Sequence, residues 1–317
     1  MRRNLILNRF YKLDQRSQDY ITTRVNYYNK LGKLDKAPIG KKSDGTEMVF
    51  LKDLKLGAVL DGKRSRSAHV FDAYEYIRFF NKKYMAGFLF GDITYIPQTP
   101  SFVKSRPIEG DNANSIILPL GKNRHFTFVR DNRKFEDKKN MLVGRAFVDQ
   151  PHRIRFWEMY FNHPMCNLGN INHNLGIHPE WNVEHMPIDE HLDYKFILCL
   201  EGNDVATNLK WVMSSNSLAV MPEPRYETWF MEGHLIPDFH YVKIKADFSD
   251  LADRMKYYIE HPEAAQEITQ NANEYVSQFR NRRRERLIGL MVVDKYFINT
   301  GQKRSLKKSA DNQIYTR

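Results

Sequence analysis

Residues 194–229 read YKFILCLEGNDVATNLKWVMSSNSLAVMPEPRYETW, and this stretch decides the fold. Residues 194–200 form a short apolar run with the length of a buried parallel strand. The turn at 201–204 carries a glycine and two cap-type residues, and 205–214 can form a helix with its apolar residues on one face. A second apolar run, 217–221, leads into a proline-broken loop. This order of strand, turn, helix and strand is typical of a nucleotide-binding βαβ unit, whose ligand lies at the carboxyl ends of the strands.

Predicted strands and helices alternate on both sides of this unit. The upstream helices cover 20–31, 68–83 and 153–160, and the upstream strands cover 48–60 (with a turn), 85–90, 116–120 and 141–143. Downstream, a strand covers 240–245, a helix opens at Ser249, and another runs from Pro262 to about residue 286 and continues to 297. We predict a loop at 36–47, irregular structure at 161–193 and a mobile tail at 303–317. The alternation predicts an α/β fold.

One predicted helix, 68–83, carries a strong apolar pattern. Its recurring residues, predicted to face the core, are Phe71, Tyr74, Ile77 and Phe80.

Composition narrows the class of protein and its partners. The 317 residues contain no apolar run of about 18, so no transmembrane helix is predicted, and the N-terminal apolar stretch is too short for a signal peptide. With only Cys166 and Cys199, a disulfide framework is not expected, and a reducing cytoplasm is the simplest location. The net charge of +11 favours a polyanionic partner such as nucleic acid, anionic lipid or phosphorylated glycolipid.

Short motifs along the central segment match one known family. They are KF (195–196), EG (201–202), VAT (205–207), KW (210–211), ETW (227–229), LIP (235–237), HYV (240–242), DFSDL (247–251) and PEAA (262–265). Together they resemble glycosyltransferase family 90, the capsule-associated group of eukaryotic protein O-glucosyl- and xylosyltransferases and bacterial lipopolysaccharide glycosyltransferases. The resemblance is clear over 195–279 and fainter back to about residue 88.

The resemblance implies a GT-B-like architecture, with two Rossmann-like domains facing a central cleft. We expect an N-terminal acceptor-side domain at 1–150, a C-terminal nucleotide-sugar domain at 151–290, and a C-terminal helix end and basic tail at 291–317. In this architecture the last helix often crosses back to the N-terminal domain, as the apolar stretch 287–297 can. The implied reaction is inverting transfer from a UDP-sugar, with no metal cofactor.

Sugar transfer requires a base for the acceptor hydroxyl and positive charge for the departing diphosphate. Asp92, just past the predicted strand 85–90, approximately matches the aspartate that acts as the base in this family, and the alternative is an aspartate that caps the next turn. The predicted phosphate ligands are the turn residues Gly202, Asn203 and Asp204, the helix residues Thr207 and Lys210, and Arg145. Lys210 is alternatively a solvated helix lysine, and Arg153 is an alternative cation to Arg145.

The loop after the second strand is predicted to hold the nucleoside. Glu227 is the candidate for the ribose hydroxyls, with a helix cap as the alternative, and Glu223 lies in the adjacent base-binding loop with Pro222 and Arg225. Five histidines at 163–191 lack the close paired spacing of a zinc site, so no metal site is predicted.

The predicted acceptor is a glycolipid or oligosaccharide, with lipopolysaccharide core oligosaccharide as our choice. The predicted location is cytoplasmic, peripheral at the anionic surface of the inner membrane. The alternative function is a non-catalytic protein that binds a polyanionic glycan or nucleic acid through the basic run RNRRRER at 280–286. No RRM, KH or zinc-finger signature accompanies that run, so nucleic acid is not the favoured partner.

Overall fold

The computed structural model describes residues 10–35, 48–54, 67–173 and 178–303. The predicted loop at 36–47, part of the predicted strand and turn at 48–60, and almost all of the predicted tail lie outside these residues.

The described part of the chain alternates strands and helices in a mixed α/β fold. The strands are β1 (Met48–Phe50), β2 (Met85–Leu89), β3 (Ser101–Val103), β4 (Arg106–Pro107), β5 (Ser115–Ile117), β6 (Lys139–Ala146), β7 (Cys166–Asn170), β8 (Tyr194–Leu198), β9 (Leu218–Met221), β10 (Tyr226–Glu227) and β11 (Val242–Lys243). The helices are α1 (Gln15–Tyr28), α2 (Ser67–Ile77), α3 (Lys122–His125), α4 (Pro151–Tyr160), α5 (Ile188–His191), α6 (Leu209–Val212), α7 (Leu251–Glu260), α8 (Pro262–Ser277) and α9 (Arg282–Asn299).

The C-terminal half is built on a parallel five-stranded sheet in the order β11-β9-β8-β6-β7. All five residues of β8 and all four of β9 are buried, as expected for strands covered on both faces. The chain leaves β6 to one side for β7 and returns on the other side as β8. This reversal is a topological switch point, and ligands of open α/β sheets bind at the carboxyl ends of the strands there.

The N-terminal half contains a four-stranded sheet in the order β1-β2-β3-β5, in which β2, β3 and β5 are parallel and β1 is antiparallel. A two-stranded antiparallel ribbon of β4 and β10 joins the two halves. Strand β6, inside the predicted N-terminal segment 1–150, pairs with β7 and β8.

The last helix returns to the N-terminal half, as predicted. Helix α9 packs on α1 and α2, and Asn29 Nδ2 donates to Val292 O at 3.1 Å. Its inner residues are buried in the N-terminal core, including Ile288, Val292 and Tyr296.

Four predictions about secondary structure are wrong. The helix predicted at 205–214 forms only over α6, because Asn208 Nδ2 bonds the Leu198 carbonyl at 2.9 Å and 205–208 stays a turn. Strand β7 lies in the region predicted to be irregular, where only Cys166 and Leu168 alternate as buried apolar residues. The long helix from Pro262 is two helices, because the Asn281 side chain caps α9 by accepting from Arg284 N.

The predicted core face of the helix at 68–83 is the fourth error. Phe71 and Tyr74 are 57% and 40% exposed, and Val70 and Ala73 are buried in their place. Ile77 is buried and Phe80 packs against the core, as predicted. A spacing of three drifts around an axis with 3.6 residues per turn, so a stripe of threes cannot stay on one face.

Candidate active site

Asp92 lies three residues beyond the end of β2, with its side chain 38% exposed. Its Oδ1 accepts a hydrogen bond from Lys104 Nζ at 2.5 Å, and its Oδ2 accepts one from Asn203 Nδ2 at 3.2 Å. Lys104 follows β3 in the N-terminal half, and Asn203 follows β8 in the C-terminal half. The predicted base is therefore held from both halves of the chain while one side of it stays open to solvent.

Lys104 links Asp92 to a second carboxylate. Its ammonium lies 2.7 Å from Asp204 Oδ2, and both side chains are nearly buried. Burial raises the pKa of Asp204, and Lys104 only partly opposes that rise. Burial would also raise the pKa of Asp92, but Lys104 and Asn203 outweigh it and hold that pKa below its usual range. Asp92 is therefore ionised at neutral pH.

Lys104 was not among the predicted site residues, although the apolar residues 102–103 directly before it form part of β3. A charged residue just after a short buried strand is the signal that would have identified it.

His69 completes the surroundings of Asp92. The Gly91 N–H donates to His69 Nδ1 at 3.2 Å, and burial, reinforced by Lys104, lowers the pKa of the ring to about 4. The ring is therefore neutral at neutral pH, with its proton on Nε2. Gly121, at φ +71°, lies so close that a Cβ there would be 3.2 Å from His69 Nε2.

The turn after β8 is held by Arg153, the alternative cation. Its guanidinium donates to the carbonyls of Leu200 and Glu201, both at 2.9 Å, and to Phe147 O at 2.8 Å. Burial lowers the pKa of Arg153 to about 10. Arg145 instead bonds Asn167 O and Oδ1, both at 2.8 Å. The structure brings Arg153 to the Gly202 turn, whereas Arg145, on β6, directs its guanidinium to Asn167 of β7.

Thr207 and Lys210 occupy different environments. Thr207 is half-buried in the turn before α6. Lys210 is 1% exposed and lies 2.6 Å from Glu232 Oε1, while Glu232 also accepts hydrogen bonds from Thr228. The alternative interpretation of Lys210 as a solvated helix lysine is therefore wrong.

A cavity of about 180 Å³ lies at the carboxyl ends of β8 and β9. The lining is largely apolar, with Leu200, Val205 and Met221 among its residues, and the predicted base-binding loop 222–225 forms part of the wall. Glu201 fixes this loop, because its carboxylate accepts from Arg225 Nε at 2.8 Å, Arg225 N at 2.9 Å and Tyr226 N at 3.2 Å. A mostly apolar cleft with a few placed polar groups suits a flat heterocyclic base.

The two predicted nucleoside carboxylates are in different positions. Glu223 lines the cavity and pairs with Lys243 at 2.7 Å. Glu227 is buried: its Oε1 accepts from Arg106 Nε at 2.8 Å and its Oε2 accepts from the Tyr27 hydroxyl. Glu227 can therefore bind a ribose only by exchanging one of these partners.

The histidine-rich segment is used locally in the part of the chain that the structure describes. His191 bonds Pro187 O at 2.9 Å, and His178 stacks on Trp181. Over the described residues, no three His, Cys, Asp or Glu side chains gather as metal ligands would. No helix in the described ranges is long and apolar enough to span a bilayer.

The chain is similar to known proteins. The family model described as Glycosyl transferase family 90 matches residues 144–284. The O-glucosyltransferase LpsA of Dichelobacter nodosus is 40% identical over 291 residues, which cover 92% of this chain and 87% of that protein. An uncharacterized protein, 179R of Invertebrate iridescent virus 6, is 28% identical over 102 residues, which cover 30% of this chain and 8% of that protein.

Proposed function

The chain belongs to glycosyltransferase family 90, and from that premise we propose that it transfers a sugar, with inversion, from a UDP-sugar to a hydroxyl of a glycan acceptor. The observation that carries the proposal is Asp92, a partly exposed carboxylate oriented by Lys104 and Asn203 at the edge where the two halves meet. Because its pKa is held low, Asp92 is ionised near neutral pH, which is the form that can accept a proton.

In the proposed reaction the acceptor hydroxyl donates its proton to Asp92. The hydroxyl oxygen then attacks the anomeric carbon from the face opposite UDP, the bond from that carbon to the diphosphate oxygen breaks, and the configuration inverts. Asn203 supports this assignment, because it follows β8 at the proposed donor site and its side chain donates a hydrogen bond to Asp92. It can therefore orient the base relative to the donor. Orientation of this kind is a large part of the rate enhancement of a two-substrate reaction.

We place the donor at the switch point of the parallel sheet, with the uracil in the cavity beyond β8 and β9. Glu223 and Arg225 would contact the base or ribose, and Gly202, Thr207 and Lys210 would lie toward the diphosphate. Lys210 would have to be shared between Glu232 and phosphate. The role of Arg145 stays a prediction. Arg153 would position the Gly202 turn, because it donates hydrogen bonds to the carbonyls of Leu200 and Glu201.

We propose a GT-B-like arrangement in which the two sheets flank the cleft. Because β6 pairs within the C-terminal sheet, the domain boundary in this arrangement falls before Lys139 rather than near residue 150. We further propose that transfer needs no metal, as the family resemblance implies.

A relative and the net charge favour particular choices of donor sugar and acceptor. The name of the Dichelobacter relative favours glucose among the candidates glucose, galactose and xylose. The net charge of +11 favours an anionic acceptor, and we propose lipopolysaccharide core oligosaccharide, reached at the cytoplasmic surface of the inner membrane.

The test is an Asp92→Asn variant assayed for donor binding and for transfer. UDP-glucose in the presence of a chelator should stabilise both proteins, by about 2.7 kcal/mol at roughly 100 times the dissociation constant. Transfer should fall by about 10²–10⁴-fold, the usual contribution of a general base. The exposed Asp137→Asn variant is the matched control and should transfer normally.

Wild-type rates in the Asp92→Asn variant would remove Asp92 as the base. Stabilisation by heparin but by no nucleotide sugar would favour the non-catalytic polyanion-binding alternative over the transferase.

A further inference from the structure

A second cavity, of about 850 Å³, lies between α2, α3 and the start of α9. Its aromatic lining residues are Tyr76, Phe126, Phe128, Trp229 and Phe279. Its basic lining residues are Lys122, Arg280, Arg282, Arg283 and Arg286. No step of the proposed transfer uses this cavity.

The positive charge of the cavity is only partly compensated within the protein. Two carboxylates line the cavity. Glu285 lies 2.9 Å from Arg24 and accepts a hydrogen bond from Trp229 Nε1 at 2.7 Å. Glu75 is shared by Lys122 and Arg286. Arg280, Arg282 and Arg283 are exposed, and no carboxylate in the described ranges pairs with them. Three guanidinium groups are therefore available to an anionic ligand.

The aromatic rings lie beside these cations. Phe126 is 6.5 Å from Phe279 and 6.4 Å from Phe128 between ring centroids, and the Arg280 guanidinium lies 5.7 Å from the Phe128 ring. Aromatic faces suit the apolar faces of sugar rings, while guanidinium forks suit phosphate oxygens. A ligand that satisfies both is a sugar that carries a phosphate.

The volume of the cavity favours a small ligand over nucleic acid. Its volume falls within the range of about 300–1,000 Å³ that is typical of small-molecule sites. A site for single-stranded nucleic acid is instead an extended groove that tracks about 4–16 nucleotides.

The cavity adjoins the surroundings of Asp92 through α3. Lys122 and Asn123 line the cavity, while the charge of Arg124, the next residue, helps to lower the pKa of Asp92. A helix of four residues is only about 6 Å long. Helix α3 therefore carries both residues that line the cavity and a residue whose charge acts on Asp92.

We propose that this cavity anchors the acceptor and that it recognises a phosphate-bearing sugar unit of a glycan. That the bound molecule is the acceptor rests on the proposed function, but binding of a phosphorylated sugar to the cavity can be tested separately. The specificity determinants are Arg280, Arg282 and Arg283, with Phe128 as the stacking surface.

The experiment measures binding of maltoheptaose phosphorylated at one C6 and of unphosphorylated maltoheptaose. The wild-type protein should prefer the phosphorylated probe by about tenfold or more at low salt, and salt should reduce the preference. The triple variant Arg280→Gln, Arg282→Gln, Arg283→Gln should lose the preference, and Phe128→Leu should weaken binding of both probes. The control is a triple variant with the same charge change at exposed cations that line neither cavity: Lys134→Gln, Arg155→Gln, Lys256→Gln. It should keep the preference.

The outcomes separate this proposal from the proposed function. The Asp92→Asn variant should bind the phosphorylated probe as wild type does, so a failure of the catalytic assignment leaves this result intact. Equal affinity for the two probes, or a preference that survives the triple substitution, would overturn the anchor site. Binding to phosphatidylglycerol vesicles or to oligonucleotides without binding to the free phosphorylated probe would overturn it in favour of a membrane or nucleic-acid surface.

Discussion

Arg106 Nε and Glu227 Oε1 lie 2.8 Å apart in a buried ion pair that joins β4 to β10. The Arg106 side chain is fully buried and also donates to the carbonyls of Tyr27 at 2.8 Å and Ser115 at 3.0 Å. This pair therefore connects the N-terminal sheet, the first helix and the loop that follows the proposed donor cavity. Such a pair is costly to break on one side, since it leaves a charge without a partner in the interior.

We predict that Glu227→Gln destabilises the protein by about 3–5 kcal/mol, because Arg106 would be left buried with a neutral partner. Chemical denaturation measures the loss. At temperatures where the variant is folded, its affinity for UDP should be close to that of wild type. Glu158→Gln, at an exposed residue of α4 that lines neither cavity, is the matched control and should change stability by less than about 1 kcal/mol.

The opposite result would restore the role that the sequence predicts for Glu227. A variant of normal stability that no longer binds UDP would show that the carboxylate serves the ribose.

The sequence predicted the parts of the site that follow from local pattern. The apolar runs at β2, β8 and β9 are visible without tertiary information, so Asp92 and the Gly202 turn could be placed at strand ends. The partners of these residues could not be predicted in the same way. Arg106 and Glu227 are 121 positions apart, and Asn203 and Asp92 are 111 apart, and no periodicity reports a pairing at such separation.

The helix predicted at 205–214 shows why local pattern also fails near the site. Its residues have helical spacing, but Asp204 pairs with Lys104 and Asn208 bonds the end of β8. These tertiary contacts hold 205–208 as a turn, so a single helical turn replaces the helix predicted at 205–214.

We predict that Lys104→Gln moves the acidic limb of the kcat/KM profile to higher pH. In the wild-type protein Lys104 helps to depress the pKa of Asp92, so the base stays ionised and the limb lies below the range usual for an aspartate. Removing the opposite charge of Lys104 should raise the pKa of Asp92, so the limb should move toward neutral pH. Transfer rates measured across the acidic range provide the test, with exposed Lys83→Gln as the control. An unshifted limb would mean that Asp92 does not control the acidic side of the profile.

We predict that Gly121→Ala lowers both stability and transfer. A non-glycine residue at φ +71° costs about 1–2 kcal/mol, and the added Cβ would press on the rings of His69 and His125 at 3.2 and 3.3 Å. Gly110→Ala is a close control, since its φ is +85° but the nearest atom to the new Cβ is 3.5 Å away, on Ile96. Denaturation should show a larger loss for Gly121→Ala, and only that variant should lose activity. Equal losses in the two variants would show that backbone strain, not crowding of His69, sets the effect.

We predict that Glu201→Ala weakens UDP binding several-fold with little loss of stability. The substitution removes three hydrogen bonds that hold residues 225–226 against the donor cavity, so the loop would have to be ordered when the nucleotide binds. Its ion pair with Arg225, a side chain that is 62% exposed, should itself contribute under about 1 kcal/mol. Calorimetric titration with UDP measures the affinity, and exposed Glu158→Ala on α4 is the control. An unchanged UDP affinity in Glu201→Ala would place the nucleotide away from this loop and would require another location for the uracil.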